Sequence, residues 1–238
     1  MIMKKKITIR FALLIVCALS INPAFAQDVR QKPVVKNVKK QPTTTTTKQT
    51  TTASAKKPGK TGNSRKWKII ESYNEGLAQV KDANGKKGFI DMAGNLVSPC
   101  KWKIAYNFSE GLAMVVDNNY MCGYIDKTGQ VVIPCQLSSA GSFHEGLACV
   151  MDDNHKYGYI DKTGQLVIPY LWNTAWDFSE GLAHVADANG KYGYINKTGK
   201  VVIPCQWERA GPFRGGQAWV QDASYKEFYI DKTGKIVK

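Results

Sequence analysis

The chain has 238 residues, with 33 Lys or Arg against 19 Asp or Glu and a formal net charge of +14. Divided along the chain, that excess falls as +4 over residues 1–26, +9 over 27–65 and +1 over 66–238. The longest segment is therefore almost neutral, which argues against nucleic-acid binding, whose electrostatic footprint is a basic face on the folded domain.

Residues 1–26 begin with Lys4, Lys5, Lys6 and Arg10, continue as an apolar run from Phe11 to Ile21, and end in Ala24-Phe25-Ala26 before Gln27. A basic start, a short apolar centre and a small-x-small end predict a cleaved secretory signal, and the run is short for a bilayer span. A lipoprotein signal on Cys17 is the rival; it lacks a small residue before the cysteine, where Val16 stands. The expected destination is the periplasm, the cell surface or the medium, with no transmembrane segment once the signal is removed.

Residues 27–65 hold Thr43 to Thr47 and Thr50 to Thr52 among Lys, Pro and Gln. Too little apolar surface is present to offset the entropy of ordering, so a disordered Thr/Lys-rich tether is expected, a solvated spacer or a carrier of O-linked sugars.

From residue 66 the sequence repeats every 35 residues, with Gly-Leu-Ala at Gly76, Gly111, Gly146 and Gly181 and its weakened form at Gly216. The copies run 66–100, 101–135, 136–170, 171–205 and 206–238. Repetition at such a period marks units that bury their apolar faces on one another. Each copy offers three short strands: Gly-Leu-Ala-x-Val, then a stretch like Tyr157-Gly158-Tyr159-Ile160, then one like Val131-Val132-Ile133 ending at Pro134. Asp82-Ala83-Asn84-Gly85 reads as the first hairpin turn and Asp126-Lys127-Thr128-Gly129 as a type I turn with a glycine bulge. The predicted fold is all-β, five tandem three-stranded antiparallel units in an open curved array. Closure as a five-bladed propeller is the alternative, less favoured because a propeller blade normally has four strands and about 40–45 residues.

The pattern Phe-x-Glu-Gly-Leu-Ala-x-Val followed by aromatic-Gly-Tyr-Ile-Asp-Lys-Thr-Gly-Lys-Val-Val-Ile-Pro resembles the bacterial WG-repeat, or KWG-repeat, family over residues 66–238. The tryptophan of that name is Lys87, Cys122, Tyr157, Tyr192 and Glu227 here, and Phe228 replaces the last glycine. The resemblance implies a β-repeat scaffold, common in envelope or secreted proteins, and no general activity.

On the first strand, Ala78, Val80 and their equivalents share one face, while Gln79, Met114, Cys149, His184 and Trp219 share the other. These five, with Trp176, are the predicted binding surface. Trp67, Trp102, Leu137, Trp172 and Trp207 read as packing between units, with a row of sugar platforms as the rival. His144, His155 and His184 fall where other copies carry unrelated residues and are expected on the surface. The glutamates Glu75, Glu110, Glu145 and Glu180 recur in equivalent surroundings, unlike a catalytic acid and base; they read as polar caps on the turn entering strand one. The aspartates at 82, 117, 152, 187 and 222 read as Asx-turn residues rather than calcium ligands. Cys100, Cys122, Cys135, Cys149 and Cys205 read as packed thiols, with one disulfide among them as the alternative that export would permit. With no catalytic constellation, metal set or cofactor motif, the expected function is non-enzymatic binding or scaffolding toward a protein or an envelope glycan. The competing class is a hydrolase acting on cell wall or glycan, or its accessory subunit.

Overall fold

The computed structural model describes residues 67–237, so the segments read as signal and tether lie outside the described residues. Five sheets follow one another. The first contains β1 (Trp67–Ile69), β2 (Leu77–Asp82), β3 (Lys87–Asp91) and β4 (Leu96–Trp102); the second, β5 (Ile104–Ser109), β6 (Leu112–Val116), β7 (Cys122–Asp126) and β8 (Val131–Leu137). The third contains β9 (Ser139–Ala140), β10 (Leu147–Met151), β11 (Tyr157–Asp161) and β12 (Leu166–Trp172); the fourth, β13 (Thr174–Ala175), β14 (Leu182–Ala186), β15 (Tyr192–Asn196) and β16 (Val201–Trp207). The fifth contains β17 (Arg209–Ala210), β18 (Gln217–Gln221), β19 (Glu227–Asp231) and β20 (Ile236–Val237). In each sheet the strands lie side by side in chain order. Among the described residues no helix is long and apolar enough to cross a membrane.

Each unit thus has four strands rather than the three expected. The additional strand is the first of each sheet, and in the last three sheets it is two residues long, Ala140 and Ser139 for instance pairing with Val150 and Met151. Two residues show no alternation, which is why the sequence pattern does not reveal them.

The turns follow their expected chemistry. Asp82 Oδ1 accepts the Asn84 and Lys86 N–H groups at 2.9 and 2.8 Å, and the same geometry recurs at Asp117, Asp152, Asp187 and Asp222. Asp126 Oδ1 accepts from the Thr128 N–H and hydroxyl at 2.8 and 2.6 Å. The column of aspartates is consumed in holding its own loops.

The glycine in the middle of the third-strand pattern has a steric cause. Between β11 and β12 the register shifts on either side of Tyr159. A Cβ at Gly158 would lie 2.5 Å from the Ile168 carbonyl oxygen, and at Gly88, Gly123 and Gly193 it would meet the facing backbone at 2.4 to 2.6 Å. The bulged strand passes so close that only a residue without a side chain fits.

The core lies between sheets rather than within them. Leu147, Cys149, Tyr159 and Ile168 of the third sheet pack against Phe178, Ala183, Val185 and Ile195 of the fourth. Ala148, Val150 and Ile160, on the opposite face of the third sheet, pack against Tyr124 and Ile133 of the second. Both faces of an interior sheet are therefore covered, and this corrects the expected outward presentation of strand-one residues. Gln79, Met114, Cys149 and His184 are buried beneath the following sheet. Trp219, on the last sheet, is half-buried. His184 is likewise not the surface histidine expected, whereas His155 is exposed in a left-handed turn position. Trp102, Leu137 and Trp172 are buried as packing residues, and the five cysteines at 100, 122, 135, 149 and 205 are free thiols.

Four interfaces repeat one arrangement. An aromatic on the third strand of one sheet meets a Phe entering the next: Phe89 with Phe108, Tyr124 with Phe143, Tyr159 with Phe178 and Tyr194 with Phe213, ring centroids 4.8 to 5.0 Å apart. The three tyrosine hydroxyls donate onward to the carbonyls of Gly141, Trp176 and Gly211 at 2.6 to 2.8 Å. The repeated glutamates cap the following sheet's turn rather than their own. Glu110 accepts from the Gly146 N–H at 2.9 Å and pairs with Lys162 at 3.1 Å, with equivalent contacts from Glu75, Glu145 and Glu180. Among the described residues these partners are missing at the two ends: Tyr73, equivalent to Phe108, is 44% exposed, and Tyr229, equivalent to Tyr194, is 56% exposed. The array is open.

Two outcomes follow from this packing. Gly158→Ala should lower stability by on the order of 3 kcal/mol in denaturant unfolding, because its Cβ overlaps main chain that cannot rotate away; a loss below about 0.5 kcal/mol would show that the strands separate freely there. In dilute solution, amide exchange should be faster over residues 206–237 than over 136–170. The fifth sheet is covered on one face, and Gln217 replaces a buried Leu worth about 2 kcal/mol; equal protection would mean that its outer face is covered.

Candidate functional site

The fourth sheet carries a departure from the repeat. The residue eight before the variable strand-one position is Glu71, Tyr106, Gly141, Trp176 and Gly211 in the five copies. Trp176 thus rises between two glycines. The residue is 38% exposed, and its ring lies flat on the His184 imidazole, with centroids 4.6 Å apart and planes 13° apart. The Tyr192 ring is tilted 46° to it at 5.5 Å. Hollows open around the indole because neither neighbouring copy has a side chain at that position.

Three adjoining hollows share Trp176 as a wall. One of about 200 Å³ is bounded by Gly141, Cys149, Tyr157 and Asp177. A second of about 410 Å³ is bounded by His144, Asp177, Ser179, His184, Gly211 and Arg214. The third, of about 310 Å³, is bounded by Tyr192, Glu208, Arg209 and Trp219. Of the predicted site residues, the structure gathers Trp176, His184, Trp219 and Cys149 around this groove. Gln79 lies two sheets away, its amide donating to Asn107 Oδ1 at 2.8 Å, and Met114 is enclosed in the core between the second and third sheets.

His144, Asp177 and Arg214 complete the groove and are absent from the predicted site. His144 Nε2 stands 3.3 Å from Asp177 Oδ2. Burial raises the Asp177 carboxyl above the ordinary carboxylate range, with the His144 charge opposing it. Asp177 shares its column with Ser72, Asn107, Ser142 and Pro212, while His144 and Arg214 share a single column with Asn74, Ser109 and Ser179; residue type varies so much along both that neither column marks a site. The available signal is the alternation of glycine and large residues in the column of Trp176, which marks where a hollow can open beside a ring.

Among the described residues His184 has no polar partner for its buried Nδ1, and burial lowers its pKa to about 4. At neutral pH it is an uncharged support for the indole. Burial raises the Tyr159 and Tyr194 hydroxyls above the ordinary tyrosine range, so both stay protonated donors. Among the described residues no three of His, Cys, Asp and Glu stand where they could hold a metal ion.

The buried imidazole makes a prediction with a definite sign. Between an ordinary value of 6.5 and the folded value of about 4, the unfolded chain takes up a proton that the folded chain refuses, so stability falls as the pH falls through that window. The histidine contribution amounts to about 2.5 kcal/mol between pH 7 and 4.5. Urea unfolding of His184→Phe at the two pH values should show a fall smaller by about that amount; an unchanged fall would place the acid sensitivity elsewhere.

The sequence pattern described as a WG containing repeat matches residues 88–120, 123–154, 157–192 and 192–223. Each window starts at or near a third strand and runs into the next sheet, so each contains one complete aromatic pair, from Phe89–Phe108 to Tyr194–Phe213. No curated protein sequence matches the chain. Among solved structures, the computationally designed Ika8 protein is 11% identical with a TM-score of 0.46, over 70% of this chain and 59% of its own. BamB from Moraxella catarrhalis is 12% identical with a TM-score of 0.41, over 70% and 61%. The WD40 β-propeller domain of Doa1 is 13% identical with a TM-score of 0.38, over 75% and 69%. The chain spans about six-tenths of the length of the first two, and similarity at these scores carries no functional argument. The matched windows cover more than half of the residues and coincide with the packed repeats, and on that ground the chain belongs to the WG-containing repeat family.

Proposed function

We propose that this protein is an exported, non-enzymatic binding module that uses the Trp176 groove to hold a glycan. The observation that carries the reading is the indole itself, braced from behind by an uncharged imidazole and bordered by three hollows. An aromatic face held rigid beside convergent polar groups suits a sugar ring, whose C–H surface stacks while its hydroxyls find donors and acceptors. Asp177, Ser179 and Arg214 supply such groups on one side, Glu208 and Arg209 on the other. The signal-like residues 1–26 and the threonine-rich residues 27–65 support delivery to the envelope, where such polymers are found.

A catalytic reading has one observation in its favour, the His144–Asp177 pair facing the 410 Å³ hollow. Turnover of cell-wall oligosaccharides by the purified protein, abolished in His144→Ala, would establish it in place of binding alone.

The binding reading is tested by titrating cell-wall and surface oligosaccharides while following tryptophan fluorescence. Trp176→Ala should weaken binding tenfold or more with circular dichroism and unfolding midpoint little changed, since the ring is an exposed wall rather than core. Undiminished glycan binding by the variant, or no binding by the parent, would refute the reading; a protein captured from envelope extract through the same indole would replace the ligand class.

A further inference from the structure

We infer that copies of this chain associate head to tail, the last sheet of one docking on the first sheet of the next through Tyr229 and Tyr73. The inference rests on the two ends of the array being the two halves of an interface that the chain already makes four times. At every internal junction a third-strand aromatic from one sheet enters a socket on the next. On the first sheet that socket is open. A hollow of about 270 Å³ is bounded by Trp67, Ile69, Tyr73, Ile90, Met92 and Gly94. Their equivalents one repeat later include Trp102, Phe108 and Ile125, buried in the cluster that receives Phe89. A Cβ built on Gly94 meets nothing within 4 Å, whereas at Gly164, Gly199 and Gly234 it meets an isoleucine of the preceding sheet at 3.1 to 3.4 Å.

The last sheet offers the matching plug. Tyr229 occupies the position of Tyr124, Tyr159 and Tyr194, all completely buried, yet it is exposed beside a half-buried Trp219 and an exposed Ile236. A sheet end selected only for solubility would carry polar residues at these positions, as capping repeats do. An aromatic ring is retained at both, Tyr73 standing where the other copies have Phe and Tyr229 where three of them have Tyr. In the arrangement that extends the repeat, the Tyr229 ring faces Tyr73 and its hydroxyl reaches the carbonyl of Glu71, the residue equivalent to Gly141, Trp176 and Gly211. Tyr73 now donates to the Asp91 carbonyl at 3.3 Å, a long exposed bond that docking can exchange.

The charges at the two ends also match. Internal junctions join a glutamate of one sheet to a lysine of the next, as Glu110 joins Lys162. At the ends the glutamate position is Gly215 and the lysine position is Met92. Both members of the pair are missing together, so a junction between copies leaves neither half of that pair without its partner. The preceding residues 27–66 contain no Phe, Tyr or Trp, so they cannot supply the missing ring themselves. The contact joins unlike surfaces and is therefore heterologous, extending as a filament or closing as a ring of subunits.

Sedimentation of the purified chain over a wide concentration range tests the inference. The parent should form species that grow with concentration, and Tyr73→Asp and Tyr229→Asp should each remain monomeric with unchanged circular dichroism, since both side chains are exposed in the single chain. Mixing the two variants is decisive. Tyr73→Asp keeps a sound last sheet and Tyr229→Asp a sound first sheet, so the mixture should give a dimer that grows no further. A parent that stays monomeric at every concentration, association untouched by either substitution, or a mixture that remains monomeric would each overturn head-to-tail docking.

Discussion

The contact on which this structure depends is a pair of aromatic rings meeting between successive sheets. No sheet of four short strands encloses a core alone, and here each has large apolar residues on both faces. The aromatic on the third strand, Tyr159 for example, gives its ring to the next sheet's Phe178 and its hydroxyl to that sheet's Trp176 carbonyl. One side chain thus meets the apolar and the polar requirement of the junction together. The chain becomes a series of nearest-neighbour interfaces, and its cooperativity is that of a repeat array.

Two lesser constraints fix where that contact falls. The bulge between third and fourth strands brings backbone within 2.5 Å of where a Cβ would stand at Gly158, setting the curvature that aims Tyr159 outward. The glutamate of each of the first four copies, held in left-handed backbone, crosses to the next copy's glycine N–H and lysine. Hydrogen bonds from Lys127 and Gly111 hold Glu75 below the ordinary carboxylate range. At Glu110 the same kind of bonds outweigh a burial that acts in the opposite direction. Exposed ion pairs of this kind contribute modestly, so their value lies in fixing the register between sheets that apolar packing alone leaves loose.

The groove around Trp176 is a consequence of irregularity in an otherwise regular array. Glycines at 141 and 211 remove the side chains that would fill the space beside the indole. A histidine at 184, in a column that holds Gln, Met, Cys and Trp elsewhere, supports it from behind. The histidine gives up its charge to be buried, and an unpaired nitrogen persists there. A buried imidazole stacked under an indole occurs at this one repeat among the described residues, and such a local departure is what a site grafted on a scaffold looks like.

The sequence by itself determined the period, the five copies, the turns, the antiparallel pairing and the family. These depend on local chemistry, in which an aspartate, a glycine or a proline acts on the backbone within a few residues of itself. Only the tertiary structure decided which faces are covered. Alternation along a strand states that Gln79, Met114, Cys149 and His184 share a face, but that face is the same whether water or another sheet lies against it. The short first strands were illegible for a related reason, since two residues such as Ser139 and Ala140 become a strand only when a longer neighbour offers its edge. The meeting of His144, Asp177, Trp176 and Arg214 likewise depends on stacking, which brings residues of three successive sheets to one groove across 71 positions of sequence.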